Sequence, residues 1–346
     1  MRIGNFEIND NSPVFIIAEL SANHNQNKQI ALDTIRAAKL AGADAIKLQT
    51  YTPDTLTIDC DNEYFQIDKG TLWDGKTLYE LYKEAYTPWE WHKELFEEAK
   101  KQGLICFSSP FDNTAVDLLE SLDAPAYKIA SFEIQDIPLI EYTASKGKPI
   151  ILSTGIATAD DIQLAVDTCR QAGNEQIILL KCTSSYPAPI ELANMKTMVD
   201  MKNKFGVLVG LSDHTMGNTV PVVSASLGAK VIEKHFIVNK AVGGPDAEFS
   251  LDPAEFKSMV DAVRDVEKAL GVVTYELSEK VEKNRKFARS LFVVENIKKG
   301  ETISPKNVRS IRPGYGLHPK LLKNILGKKV NTDIETGTPL RLSMID

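Results

Sequence analysis

Eight short apolar runs punctuate residues 1–275: FIIAE, AIKLQ, ICFSS, AYKIAS, PIILST, IILLKCT, VLVGLSDH and VIEKH. Each is nearly continuously apolar and about five residues long, the pattern of a parallel strand buried on both faces. Amphipathic stretches such as QIALDTIRAAKLAG, PWEWHKELFEEAKKQG, DDIQLAVDTCRQAG and PAEFKSMVDAVRDVEKALG lie between them. Strand–helix alternation repeated in this way predicts an α/β chain closing into a (β/α)8 TIM barrel. Chemistry in such a barrel sits at the carboxyl ends of the strands. The run ends therefore name the candidate site: Glu19, Lys47, Gln49, Ser108, Ser109, Lys128, Ser131, Ser153, Thr183, Ser212, Asp213, His214, Glu233 and His235.

The chain has 346 residues, enough for one large core and a smaller domain. Its net charge of −7 includes no basic stripe, which argues against nucleic acid as a partner. Cys60, Cys106, Cys169 and Cys182 show no CxxC spacing, so a reduced, cytoplasmic protein is expected. The first residues, MRIGNFEINDNSP, lack the apolar core of a signal peptide, and VFIIA is too short to cross a bilayer. Residues 1–13 are expected to form a short strand plugging the bottom of the barrel. The connection over 51–88 is long for its place, with a predicted helix over 77–84, and connections of that length are usually functional. After Gly271 the alternation stops. Residues 276–288 read as a charged linker. Residues 289–346 read as a small mixed domain of short strands and turns around PKLLKNILGKKV.

His214 and His235 end the last two runs, on strands about 4.8 Å apart. Two imidazoles at matching heights can share a divalent metal ion and leave positions open to substrate and water. Lys47 and Lys128 each need an anion, because a barrel interior cannot hold an unpaired ammonium. With the hydroxyls of Ser109, Ser131, Ser153 and Ser212 they describe a seat for a small polyanion. Balance by Glu19, Glu133 or Glu233 is the plainer alternative, and a Schiff-base lysine the sharper one. Glu19 is either a base or a partner for Lys47. Asp246, in GGPDAEFSLDP, reads either as part of a surface turn or as a group for a sugar hydroxyl. Arg312, in SIRPGYG, reads either as a solvated surface residue or as a group for a planar acceptor such as an amide carbonyl. Trp73, Tyr79, Tyr82 and Trp89 read as core or lid.

Taken together, AELSANHNQN, IKLQT, SSPFD, YKIASFE, ILSTG, CTSSYPAP, GLSDHT, EKHF and GPDAEFSLDP resemble the sialic acid synthase family. SLFVVENIKKGETIS and IRPGYG resemble that family's C-terminal antifreeze-like (SAF, β-clip) domain. The resemblance implies condensation of phosphoenolpyruvate with an N-acylated aldose, using Mn²⁺, or Mg²⁺ or Co²⁺. It implies that His214 and His235 hold the metal. Lys47, Ser109, Lys128, Ser131, Ser153 and Ser212 would hold phosphoenolpyruvate, with Ser184 standing where the family often has Asn. Gln49, Glu133, Tyr186 and Asp246 would face the sugar. Arg312 would reach the N-acyl group from the neighbouring subunit of a domain-swapped homodimer. Glu19, Lys128 and Asp213 are the candidate catalytic groups. TLWDGKTLYELYKEAYTPWEWH and SFEIQDIPLI resemble the branch whose sugar is 2,4-diacetamido-2,4,6-trideoxy-L-altrose. Acceptors of the neuraminate and legionaminate type are the alternatives. A Schiff-base aldolase or a non-catalytic sugar-binding protein stands further off.

Overall fold

A computed structural model of the chain describes residues 1–67 and 73–346. Residues 68–72, part of the wording that carries the resemblance in the long connection, lie outside them. The chain divides into two compact units, Met1–Gly271 and Val272–Asp346.

In the first unit all eight apolar runs are parallel strands: β1 (Phe15–Glu19), β2 (Ala45–Thr50), β3 (Ile105–Pro110), β4 (Tyr127–Ile129), β5 (Ile150–Ser153), β6 (Ile177–Cys182), β7 (Leu208–Asp213) and β8 (Val231–His235). They pair in sequence order, and β8 closes on β1 with His235 opposite Glu19. A helix follows each strand: α1 (Lys28–Leu40), α2 (Trp89–Gln102), α3 (Asn113–Ser121), α4 (Ile137–Ala144), α5 (Ala159–Gln171), α6 (Lys196–Phe205), α7 (Thr219–Ser226) and α8 (Pro253–Leu270). Local chemistry sets their ends. Asp112 accepts from the amides of Thr114 and Ala115 at the start of α3, and Asp252 and Glu255 form a capping box at the start of α8. The outer faces of the strands and the inner faces of the helices make one core, from Ile16, Ile46 and Leu48 round to Phe236 and Phe256.

The N-terminal segment is a hairpin rather than a single strand, with Arg2–Ile3 paired to Phe6–Glu7. Ile3 and Ile8 are fully buried and pack with Phe15, Ile17, Ala45, Phe107, Ile151, Ile178 and Val231 inside the barrel. These residues lie toward the amino ends of their strands, so the hairpin closes the bottom as expected. The long connection after β2 carries short helices over Pro53–Leu56 and Leu78–Ala85. Thr77 caps the second and forms a capping box with Glu80, which accounts for the helical signal there.

In the second unit, β9 (Ser290–Val293) pairs antiparallel with β10 (Val308–Ile311). Its own core gathers Leu291, Val293, Ile297, Ile303, Val308, Ile325, Val330, Ile334 and Leu340. KKGETI and TGTPLRLSMI contribute isolated bridges, such as Thr302 to Lys329 and Val330 to Ile345, rather than full strands. Among the described residues no helix is long and apolar enough to cross a membrane.

Ile3→Ala should lower stability by about 2–5 kcal/mol, since the side chain leaves a cavity enclosed on all sides by the barrel. Urea unfolding measures it. An unchanged midpoint would mean that the hairpin does not hold the barrel floor.

Candidate active site

Successive side chains on a strand point to opposite faces, so alternation decides which run ends enter the barrel. Glu19 on β1, Lys47 and Gln49 on β2, Lys128 on β4, Ser153 on β5, Ser212 on β7, and Glu233 and His235 on β8 all line one cavity. Ser131, Glu133, Tyr186, His214 and Asp246 reach it from the loops beyond the strands. The cavity holds about 450 Å³. Its upper wall is apolar and aromatic, built by Tyr51, Leu56, Ile67, Trp73, Leu78, Leu81, Tyr82 and Phe111.

The floor is a buried charge cluster. Lys47 Nζ lies 2.7 Å from Glu19 Oε2 and 3.6 Å from Glu233 Oε1, and donates to Ser109 Oγ at 3.2 Å. Lys128 Nζ donates to Ser153 Oγ at 2.6 Å and to the Ile129 carbonyl at 3.0 Å, and lies 4.0 Å from Glu233 Oε1. Glu233 therefore stands between two ammonium groups. Burial works against its charge, but Lys128 and Lys47 outweigh burial and hold its pKa below the usual carboxylate range. Glu19 goes the other way. Burial, with the neighbouring Glu233, pushes it up to about 7 despite Lys47. Burial also lifts Glu133 to about 7. Near neutral pH the cluster thus exchanges protons on Glu19 and Glu133, while Glu19 and Glu233 raise the pKa of the Lys47 ammonium against burial, and burial with Lys47 lowers that of Lys128. That composition accepts an incoming anion without stranding a cation.

Beyond the floor stand the two histidines, with ring centroids 5.3 Å apart. His214 Nδ1 donates to the Thr183 carbonyl at 3.0 Å, which leaves Nε2 as the ring's free lone pair in the neutral form. His235 Nδ1 has no hydrogen-bond partner and lies 3.7 Å from Asp246 Oδ2. Burial and the adjacent His214 hold His235 well below its ordinary pKa. Burial opposes charge on His214 too, but Cys182, 3.8 Å away, raises its pKa. Tyr186 packs on His214 at 4.4 Å, and Phe249 packs on His235 at 4.8 Å.

Most of the predicted residues converge here. Ser109 lies under Lys47. Ser184 Oγ is buried beside Gly155, where any Cβ would overlap it, and Gly155 N–H donates to Ser131 Oγ at 3.1 Å. Asp213 does not converge, which corrects its place among the catalytic candidates. It falls between Ser212 and His214, so alternation turns it outward. There it takes the Lys234 ammonium at 2.6 Å and the Thr215 amide at 3.0 Å. Ser108 and Thr183 are outside the lining for the same reason. Ser108 bonds Thr50 at 2.6 Å, and the Thr183 hydroxyl donates to Leu192 O at 3.2 Å. Trp73 and Tyr82 line the wall, but Tyr79 donates to Asp54 outside it, and Trp89 begins α2. Arg312 follows β10 in the second unit, exposed and without an ion pair among the described residues. Glu233, one of the run ends, lies on the floor, and Ser21 is a contributor that the run ends do not name. Ser21 continues the inward phase set by Glu19, and that phase was the signal for it.

A closed barrel with buried, partnered ammonium groups beneath two imidazoles defines an enzyme of small anionic substrates. The model of the NeuB family matches residues 34–275, and that of the SAF domain matches 288–346. The chain is 53% identical over 343 residues to a pseudaminic acid synthase of Campylobacter jejuni, covering 99% of each. It is 51% identical to the pseudaminic acid synthase of Helicobacter pylori, covering 96% of this chain and 98% of that one. The crystal structure of an N-acetylneuraminic acid synthetase from Leptospira borgpetersenii matches with a TM-score of 0.72 at 33% identity. That match spans 82% of this chain and 94% of the other. The chain belongs to the NeuB family, the sialic acid synthases, and carries that family's barrel and a SAF domain.

Lys47→Met leaves Glu19 buried opposite Glu233, so Glu19 keeps its proton to a higher pH than in the native chain. A carboxyl raised by folding contributes stability below its unfolded pKa, and this is lost as pH rises through the folded pKa. The loss continues further in the variant. Its stability deficit should therefore widen between about pH 6 and about pH 9, reaching about 3–5 kcal/mol. Urea unfolding across that range measures it, and a deficit independent of pH would count against the pairing.

Proposed function

We propose that this chain condenses phosphoenolpyruvate with 2,4-diacetamido-2,4,6-trideoxy-L-altrose and water. The products are pseudaminic acid and phosphate, released by C–O cleavage. The reaction type rests on one observation: the floor where Lys47 and Lys128, bridged by Glu233, lie among Ser109, Ser131, Ser153 and Ser212 under the histidine pair. The choice of sugar rests on full-length likeness to the Campylobacter and Helicobacter synthases.

Lys47 and Lys128 hold the phosphate and carboxylate of phosphoenolpyruvate, with the serine hydroxyls and Ser184 donating to its oxygens. Gln49, Glu133, Tyr186 and Asp246 hold the open-chain sugar above it. This orientation brings C3 of phosphoenolpyruvate against the aldehyde carbon. As that bond forms, C2 becomes cationic, and Glu233 and Glu19 face the positive charge. Glu19, with its pKa near 7, takes a proton from the water that adds to C2. The tetrahedral adduct then expels phosphate, whose charge stays matched by the two lysines.

The histidines fit a divalent metal ion. His214 presents Nε2 with its other nitrogen committed to a carbonyl, and His235 is held neutral with an unpartnered nitrogen. Among the described residues no three His, Cys, Asp or Glu side chains form a ready ligand set, so the remaining positions fall to water and substrate oxygens. Imidazole nitrogen favours Mn²⁺ over Mg²⁺, with Co²⁺ also suited. Such an ion, when bound, polarises the aldehyde as a Lewis acid. We assign the residues the setting of a cytoplasmic homodimer, in which Arg312 of one subunit meets the N-acyl group held by the other.

The test is phosphate release from phosphoenolpyruvate across a panel of N-acyl hexoses, with and without chelator. The 2,4-diacetamido-6-deoxy sugar should exceed N-acetylmannosamine at least about a hundredfold in kcat/KM, because each unmatched buried polar group costs about 1–3 kcal/mol. Chelator should abolish turnover reversibly, and His214→Ala or His235→Ala should abolish it outright. Equal kcat/KM for the two sugars would remove the sugar assignment. Turnover in either histidine variant would remove the metal.

Subunit mixing tests the shared site. Arg312→Ala and Glu19→Ala chains, each inactive alone, should recover activity when mixed, because heterodimers hold one intact site. No recovery after verified subunit exchange would show that each chain completes its own site.

A further inference from the structure

The loop from β1 to α1 holds three of the non-glycine residues with left-handed backbone: Ser21 at φ 48°, Asn25 at 45° and Gln26 at 53°. Asparagine tolerates that region, whereas serine has little reason to occupy it. Strain of this kind persists only where the surroundings over-determine it, and it collects at working sites. Ser21 is buried and lines the cavity two residues beyond Glu19. Its hydroxyl donates to Asp246 Oδ2, the oxygen that faces His235 Nδ1 at 3.7 Å. The same hydroxyl accepts from Gln49 Nε2 at 2.8 Å, and Gln49 Nε2 also donates to Glu19 Oε1 at 2.9 Å. One side chain thus joins Glu19, Gln49 and Asp246 in a continuous hydrogen-bonded chain across the cavity.

The loop that carries Asp246 needs such a tie. It begins at Gly243 and Gly244, both with positive φ, which give the backbone little stiffness of its own. Asn23 fastens its far end, donating to Ser250 Oγ at 2.8 Å and to the Phe236 carbonyl at 3.1 Å. Ser250 Oγ donates in turn to the Asp246 carbonyl at 2.6 Å, so these bonds act on the backbone rather than on the carboxylate. Among the described residues the carboxylate takes the Ser21 hydroxyl and a long 3.5 Å approach of the Ala22 amide.

We propose that Ser21 is a positioning residue for the acceptor sugar: it accepts backbone strain so that its hydroxyl can orient the Asp246 carboxylate and the Gln49 amide. This rests on the proposed synthase reading, in which Asp246 and Gln49 face the sugar while the lysine floor takes phosphoenolpyruvate. Ser21 reaches the lysine floor only at second hand, through Gln49 and Glu19, whereas it touches Asp246 and Gln49 directly, so its loss should weigh on the sugar more than on phosphoenolpyruvate.

Two variants separate the hydroxyl from the strain. Ser21→Gly removes both, and Ser21→Ala removes the hydroxyl and keeps the strain. Both should lose about tenfold or more in kcat/KM for the sugar, with the KM for phosphoenolpyruvate within about twofold of the native value. Urea unfolding should nevertheless find Ser21→Gly more stable than Ser21→Ala. If activity instead follows stability, with the glycine variant native-like and the alanine variant impaired, Ser21 is only a strained turn and the proposal falls. It also falls if both substrates are affected alike. A double-mutant cycle in urea unfolding between Ser21→Ala and Asp246→Asn reads the contact without turnover. Non-additivity is expected, and additivity overturns the proposal. Failure of the synthase reading would look different: the native chain would release no phosphate from phosphoenolpyruvate with any sugar, while the cycle still reported the contact.

Discussion

Two buried ammonium groups at the bottom of a well repel each other and forfeit hydration, and Glu233 is what lets Lys47 and Lys128 share the floor. Its carboxylate stays ionised because both cations act on it. Glu19, one strand away, is then left to titrate near neutrality. The inequality between two buried carboxylates is the basis of the site's chemistry. One is a fixed charge that keeps the seat positive enough for an anion and no more. The other is a movable proton. The histidines stand above this cluster and differ in their neighbours: Cys182 raises the pKa of His214, whereas burial, His214 and the cluster's own lysines lower that of His235.

The barrel was readable from the chain because parallel strands buried on both faces leave no polar residue to interrupt the run, so each strand announces its own end. Location of the site followed from that, since strand ends and chemistry coincide in this architecture. Phase was harder. A continuous apolar run hides the alternation that a half-exposed strand would display, so Asp213 and His214 looked equivalent as neighbours in sequence. Side-chain period two separates them, sending His214 inward and Asp213 to Lys234. Counting in twos from Glu19 finds Ser21, and counting in twos from Ser212 to His214 drops Asp213.

Loop contributions were readable only through wording, not through pattern. Nothing in the spacing of Tyr51, Leu56, Leu81 and Tyr82 announces that they meet in one wall with Phe111 from the loop after β3, because the connection after β2 folds back by tertiary contact rather than by local propensity. The second unit was called strand-rich, yet much of it is held by isolated bridges around a small aliphatic core. Short apolar segments there resemble strands because each supplies one or two core residues, not because each enters a ladder.

The N-terminal hairpin has a consequence for traffic. With Ile3 and Ile8 sealing one end of the barrel, the cavity is a blind well entered from a single side. Whatever rests on Lys47 and Lys128 lies deepest, and whatever rests between Tyr186 and Tyr82 lies over it. The shallow seat therefore lies across the way to the deep one. Strand side chains such as Phe15, Ile17, Phe107 and Leu180 fill the barrel above the hairpin, so that end is stopped twice over.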